Sequence, residues 1–152
     1  MQFEFIETKQ TWDDLRLSKR TQDQIRDIEK RWVQRTKLSK EWGLKTKSKS
    51  GYTALFHGPS GTGKTLTAAL LGKSIKRSVC KVNLSKLLSN YIGETEKNLN
   101  SIFERAEANN WILFFDEADA IFGKRTTVKE AHDRYANQEV SYLLQRMEDY
   151  NG

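Results

Sequence analysis

Gly58-Pro59-Ser60-Gly61-Thr62-Gly63-Lys64-Thr65 is the stretch whose reading decides the fold. A glycine, four free positions and then Gly-Lys-Ser/Thr is the pattern of a loop built to hold phosphate. A polyphosphate needs many donors close together on a chain that side chains do not hold at a distance. Gly61 and Gly63 permit that approach and tolerate backbone angles that other residues resist. Backbone N–H groups from Gly61 through Thr65 are expected to curl around the phosphates, with a helix starting near Gly63 aiming its positive end at them. Lys64 is the point charge for the outer phosphates. The Thr65 hydroxyl suits Mg²⁺, a hard cation that prefers oxygen and keeps several waters. Outward from the loop, Thr53 to His57 is an apolar run suited to a strand, and Leu66 to Leu71 continues as a helix. The competing reading, a glycine-rich turn with no ligand, does not require that order of strand, loop and helix.

A chain of 152 residues, 37% hydrophobic and 30% charged, suits one globular domain with a real core. It carries no apolar run near the roughly 18 residues of a membrane span, and its start lacks a basic and then apolar leader. A reducing, cytoplasmic setting is the expectation, and the lone Cys80 agrees with it. Lys and Arg number 26 against 20 Asp and Glu, a net +6. Much of the excess lies in Lys37 to Lys49, interleaved with Ser and Thr, and in Lys124-Arg125. That pattern reads as a solvated linker, so nucleic acid is a possible partner without being the favoured one.

From the N-terminus, Met1 to Leu17 holds scattered apolar residues and reads as an arm packed on a larger body. Ser18 and Thr21 are candidate helix starts, Thr21 with Gln24 matching a capping box. Ile25, Ile28 and Trp32 then recur at helical spacing, and the helix is expected to end before Gly43. Residues 1–50 form an arm, helix and linker in this reading, and 51–152 the nucleotide-binding core. Val79 to Asn83 alternates as a strand, and Leu84 to Ser89 makes a helical turn or two. Leu99, Ile102, Phe103 and Ala106 place an amphipathic helix over Glu94 to Ala108. Trp111 to Phe115 is a continuous apolar run, as expected of a strand buried on both faces. A short helix around Ala118 to Phe122, a polar stretch from Gly123 to Arg134 and a last helix marked by Val140, Leu143, Leu144 and Met147 complete the chain. Strands alternating with helices imply an α/β fold with a parallel sheet and helices on both faces.

In such a sheet the ligand lies beyond the C-terminal strand ends, so Asp116-Glu117 is expected to open towards the crevice of Gly58 to Thr65. Asp116 would hold Mg²⁺ through its waters. Glu117 would accept a proton from an attacking water and direct it at the γ-phosphate. An isolated Asp-Glu pair is more simply a helix cap; joined to the phosphate loop, it reads as functional. His57 and His132 have no partner ligands at usable spacing and are read as hydrogen-bonded or exposed.

Gly58 to Thr65 together with Leu113-Phe114-Phe115-Asp116-Glu117-Ala118-Asp119 resemble the Walker A and Walker B motifs of AAA+ ATPases. Tyr91-Ile92-Gly93-Glu94-Thr95-Glu96-Lys97-Asn98-Leu99, followed by Ile102-Phe103-Glu104, is similar to the pore-loop region of the Cdc48-like, katanin-like and FtsH-like subgroup. More loosely, Trp12-Asp13-Asp14-Leu15 and Tyr135 to Glu148 look like small single-domain AAA proteins of bacteria and phages. The resemblance implies a three-layer P-loop NTPase sandwich, here an incomplete AAA+ core of about three strands with an N-terminal helical arm. It further implies ATP or ADP bound by Gly58, Pro59, Ser60, Gly61, Thr62, Gly63, Lys64, Thr65 and Leu66, with Mg²⁺ at Thr65 and Asp116. Lys64 and Glu117 would be the catalytic residues. Tyr91, Ile92 and Gly93 would face the channel of a hexameric homo-oligomeric ring and grip a protein substrate; the simpler alternative has Tyr91 and Ile92 covering the core.

The family's next strand, its arginine finger and its helical lid have no counterpart in these residues, so a truncated protein is expected. The missing strand belongs between Thr53 to His57 and Trp111 to Phe115, and without it those runs must pair directly, be bridged by another chain or leave edges. ATP hydrolysis is therefore the expectation for the longer relative, with binding and little turnover by this chain alone. Two rivals stay open: a non-hydrolysing regulatory or scaffold module, and a nucleic-acid-stimulated ATPase.

Overall fold

The computed structural model describes residues 3–41, 51–88, 94–119 and 131–152. It divides into two compact units, Met1–Phe5 with Lys49–Thr53 and Cys80–Gly152, and Ile6–Ser48 with Ala54–Val79.

The first unit is built on a three-stranded sheet of β1 (Phe3–Ile6), β2 (Val79–Asn83) and β3 (Ile112–Asp116), in that spatial order. β2 is central because Cys80 and Val82 are wholly apolar and fully buried. After β2 come a short helix, Leu84–Leu88, and a longer one, Glu94–Asn109; another, Ala131–Asp149, follows β3. With α1 and α2 of the second unit counted first, these are α3, α4 and α5. The spacing of Leu99, Ile102, Phe103 and Ala106 gives α4 one apolar stripe, and all four are buried. That stripe packs with Leu84 and Leu87 of α3 and Val140 and Leu143 of α5 into a single core. α4 ends where Asn110 takes a left-handed φ of 55°, and Trp111 N–H then donates back to the Ala106 carbonyl at 2.9 Å. This is a C-terminal cap that turns the chain into β3.

Phe103 is the centre of that core. It is fully buried, its ring lies 5.6 Å from Tyr150 and 5.9 Å from Phe115, and the Arg146 guanidinium sits 5.2 Å from its centroid. Tyr150 in turn donates its hydroxyl to the Trp111 carbonyl. Phe103→Ala is expected to cost about 3–5 kcal/mol, from lost burial plus the cavity left among these rings. Urea unfolding measures this, and a loss under about 1 kcal/mol would contradict the packing described.

The second unit pairs two helices, α1 (Lys19–Glu41) and α2 (Lys64–Ser74). Ser18 caps α1, its Oγ accepting from Thr21 N–H at 3.3 Å and lying 2.9 Å from Thr21 Oγ1. Thr21 is therefore inside the helix, because the earlier serine reaches that N–H first. In α2, Thr67 through Gly72 are all buried. An arm runs beside it, with Lys73 Nζ donating to the Gln10 carbonyl at 3.0 Å and Trp12 Nε1 to Ser74 Oγ at 3.1 Å. Arg77 lies 4.0 Å above the Trp32 ring of α1.

Two expectations need correction. Thr53 to His57 is not a strand: it pairs with none of β1, β2 and β3, and Leu55 is 73% exposed. An apolar run becomes a strand only when a neighbour completes its ladder, and none of the three strands does. The sheet has three strands, but β1, from the segment read as an arm, takes the place of that run. β3 is half-buried along its whole length rather than buried on both faces, as suits an edge of this sheet. Helical residues of α5 begin at Ala131, inside the stretch read as polar. The proposed short helix from Ala118 falls mostly outside the described residues.

Candidate functional site

Three positive φ angles shape the loop before α2: 152° at Gly58, 77° at Gly61 and 88° at Gly63. At Gly61 a Cβ would meet nothing within 4 Å, so glycine is required there for backbone angle, and the loop face stays open. Gly63 is the N-cap of α2. A Cβ on it would lie 2.4 Å from Leu15 Cδ1, so glycine also allows the arm to close against the loop. The α2 ladder opens with Thr67 N–H donating to the Gly63 carbonyl at 2.8 Å. The N–H groups of Lys64, Thr65 and Leu66 precede that bond and have no intrahelical acceptor.

Lys64 Nζ folds over the loop and donates to the carbonyls of Gly58, at 2.9 Å, and Pro59, at 2.7 Å. Thr62 Oγ1 donates to the same Pro59 carbonyl at 2.8 Å. These bonds hold a single positive charge over the loop that leads into the N-terminus of α2, an arrangement suited to a polyanion. Pro59, Ser60, Gly61 and Thr62 are exposed, whereas Gly58, Gly63, Lys64, Thr65 and Leu66 are half-buried. The second unit thus brings together Gly58 to Leu66, all the residues expected to bind nucleotide.

Asp116 and Glu117 belong to the first unit. Asp116 is the last residue of β3. Its Oδ1 accepts from Glu117 N–H at 3.0 Å, and its Oδ2 lies 3.0 Å from Lys81 Nζ. Glu117 is exposed and sits at a left-handed φ of 57°. A non-glycine residue there costs about 1–2 kcal/mol, and such strain clusters at functional positions. Among the described residues no group of three or more His, Cys, Asp or Glu could hold a metal. Thr65 in the second unit offers a hydroxyl and Asp116 in the first a carboxylate; each is an oxygen donor, the ligand type that Mg²⁺ takes sparingly from protein while keeping phosphate and water in its other positions. Tyr91, Ile92 and Gly93 lie outside the described residues, as does the side chain of His132; His57 is exposed.

Lys81 and Glu4 were missed by sequence reasoning. Glu4 Oε1 lies 3.6 Å from Lys81 Nζ. The available signal was a charged residue in the middle of an apolar strand, an uncommon placement unless it is paired. The Asp116 carboxylate, by hydrogen bonding above all, raises the Lys81 pKa above its ordinary 10.5, with burial opposing. On the same strand, burial pushes the Cys80 thiol from 9.0 up to about 11, against a smaller lowering by Arg105. Both folded-state values are raised, so both groups hold protons to higher pH in the folded chain than in the unfolded one. Their stabilisation is whole below the ordinary values and is lost as pH climbs through the folded ones. Denaturation midpoints should be flat from about pH 7 to 9 and then fall towards pH 11. The fall across that window should be shallower in Cys80→Ala; an identical fall would remove Cys80 as a cause.

A glycine-shaped loop capping a helix, with a lysine held over its carbonyls, is the nucleotide-binding element of a P-loop NTPase. The family model of the ATPase family associated with various cellular activities (AAA) matches residues 54–152. The chain belongs to the AAA family. Among curated proteins it is 37% identical over 107 residues to the peroxisomal ATPase PEX6 of Penicillium chrysogenum, covering 70% of this chain and 7% of that protein. It is 43% identical over 79 residues to the uncharacterized AAA family ATPase y4kL of Sinorhizobium fredii, covering 52% and 23% respectively. It is 36% identical over 98 residues to proteasome-activating nucleotidase 2 of Halobacterium salinarum, covering 64% and 24%. The chain thus spans less than a quarter of the length of each of these relatives. No helix among the described residues is long and apolar enough to cross a membrane.

Proposed function

We propose that the protein binds ATP through Gly58 to Leu66 and hydrolyses it to ADP and phosphate, working as part of a homo-oligomeric ring that remodels a protein substrate. The loop geometry carries this reading: three positive-φ glycines and Lys64 Nζ form a cradle open to a polyphosphate on its exposed side. Similarity to a peroxisomal ATPase supports ATP as the nucleotide, and similarity to a proteasome-activating nucleotidase supports a nucleotide-dependent activity.

In this reading the N–H groups at the start of α2 and the Lys64 ammonium bind the phosphate oxygens and oppose the charge that gathers on them in transfer. Mg²⁺, when bound, neutralises charge on the outer phosphates; Thr65 and, through water, Asp116 would hold it. Glu117 accepts the proton of the attacking water at its carboxylate. Its left-handed backbone directs the Glu117 N–H onto Asp116 Oδ1, so the conformation of one acidic residue helps to fix the other. Tyr91, Ile92 and Gly93 would contact the protein substrate, the aromatic ring gripping apolar and backbone surface with no sequence requirement.

A calorimetric titration of the 152-residue chain with Mg-ATP tests the reading. Saturable binding near one equivalent is expected. No heat of binding from a chain that circular dichroism shows to be folded would overturn it.

A further inference from the structure

Lys81 sits in the middle of β2 with a carboxylate from each flanking strand against it, Glu4 from β1 and Asp116 from β3. The two contacts are unequal. Asp116 lies 3.0 Å away and its side chain is 33% exposed, whereas Glu4 lies 3.6 Å away and is 68% exposed. The sheltered contact is the one to Asp116. With Oδ2 held by Lys81 and Oδ1 by Glu117 N–H, the carboxylate is tied at both oxygens and cannot rotate freely. A carboxylate offers about four lone-pair sites, so each oxygen keeps room for a water.

We infer that Lys81 is a positioning residue that holds the Asp116 carboxylate in the one orientation from which it receives a Mg²⁺-bound water. The inference rests on the reading of Asp116 given above. Mg²⁺ demands near-ideal octahedral geometry, so a carboxylate that reaches it through water contributes only when its oxygens are correctly aimed. An ammonium so near a divalent cation would also repel it. Glu4 lies against the same ammonium from β1 and offsets part of that charge; orientation is the effect inferred here, and it sets the direction of the expected change.

The test measures fluorescent ATP-analogue binding by the full chain while Mg²⁺ is varied, and again in excess EDTA, for wild type, Lys81→Met and Lys81→Arg. Removing an outer-shell partner typically weakens metal affinity about 10- to 100-fold. The Mg²⁺ concentration for half-maximal binding should therefore rise at least about tenfold in Lys81→Met. Affinity in EDTA should be unchanged, and Lys81→Arg should restore most of the loss. A purely structural ion pair would instead lower thermal stability and leave the Mg²⁺ requirement where it was. If wild type needs Mg²⁺ and Lys81→Met needs the same or less, the inference is overturned and the ATP reading stands. If wild-type binding ignores Mg²⁺, the role given to Asp116 falls and the inference falls with it. Should Lys81→Met fail to fold, Lys81→Gln carries the same expectation and the same refutation.

Discussion

Lys64→Ala is expected to reduce Mg-ATP affinity by at least about 100-fold, below detection in an ordinary titration. Charge-assisted hydrogen bonds contribute about 1.5–3 kcal/mol each. In the proposed complex the three donors of the ammonium turn from the loop carbonyls to phosphate, and loss of two such bonds accounts for the factor. The substitution also frees the carbonyls of Gly58 and Pro59, which Nζ holds at 2.9 and 2.7 Å, so the loop itself loosens. Lys64→Met separates these effects from bulk, since it fills the same path without the charge and should fail equally. Neither variant touches the core around Phe103, and unfolding stability should move by no more than about 1 kcal/mol. Affinity within threefold of wild type for Lys64→Ala would mean that nucleotide is not held by this loop.

Glu117→Gln should lower ATP turnover at least about 100-fold, the usual contribution of a positioned general base, and leave Mg-ATP affinity unchanged. Glutamine is close to an isostere. It can keep the left-handed φ of 57° and the N–H bond to Asp116 Oδ1, so the carboxylate partner stays where it is. What it cannot do is accept the proton of the attacking water. Phosphate release is the measurement, run on the chain alone and on any longer protein that contains it. Turnover equal to wild type in both would remove Glu117 as the base. A fall in turnover accompanied by a matching fall in affinity would mean that the substitution had disturbed Asp116 instead.

The elements that sequence reasoning located correctly are those whose causes are local. α4 is legible because Leu99, Ile102, Phe103 and Ala106 carry the helical period within one segment. β2 is legible from a short apolar alternation, and the loop before α2 from glycines at fixed offsets beside a lysine. The family, too, follows from short motifs, and the match over residues 54–152 agrees with them.

The rest depended on pairing between distant segments. Phe3–Ile6 became a strand because β2 offers it a ladder, and Thr53 to His57 remained outside the sheet because β1, β2 and β3 do not. The scattered apolar residues of Met1 to Leu17 showed no period that marked a strand, whereas Thr53 to His57 had the apolar run of one. The approach of Leu15 to Gly63 and the contact of Lys81 with Asp116 join residues that share no local pattern at all. The sequence by itself determined the chemistry available to this protein: a phosphate loop, two acidic residues at the end of a strand, and the helices around them. Only the tertiary structure decided which backbone segments complete the sheet and which cation stands beside Asp116, because strand ladders and ion pairs form between chain segments that only folding brings within reach.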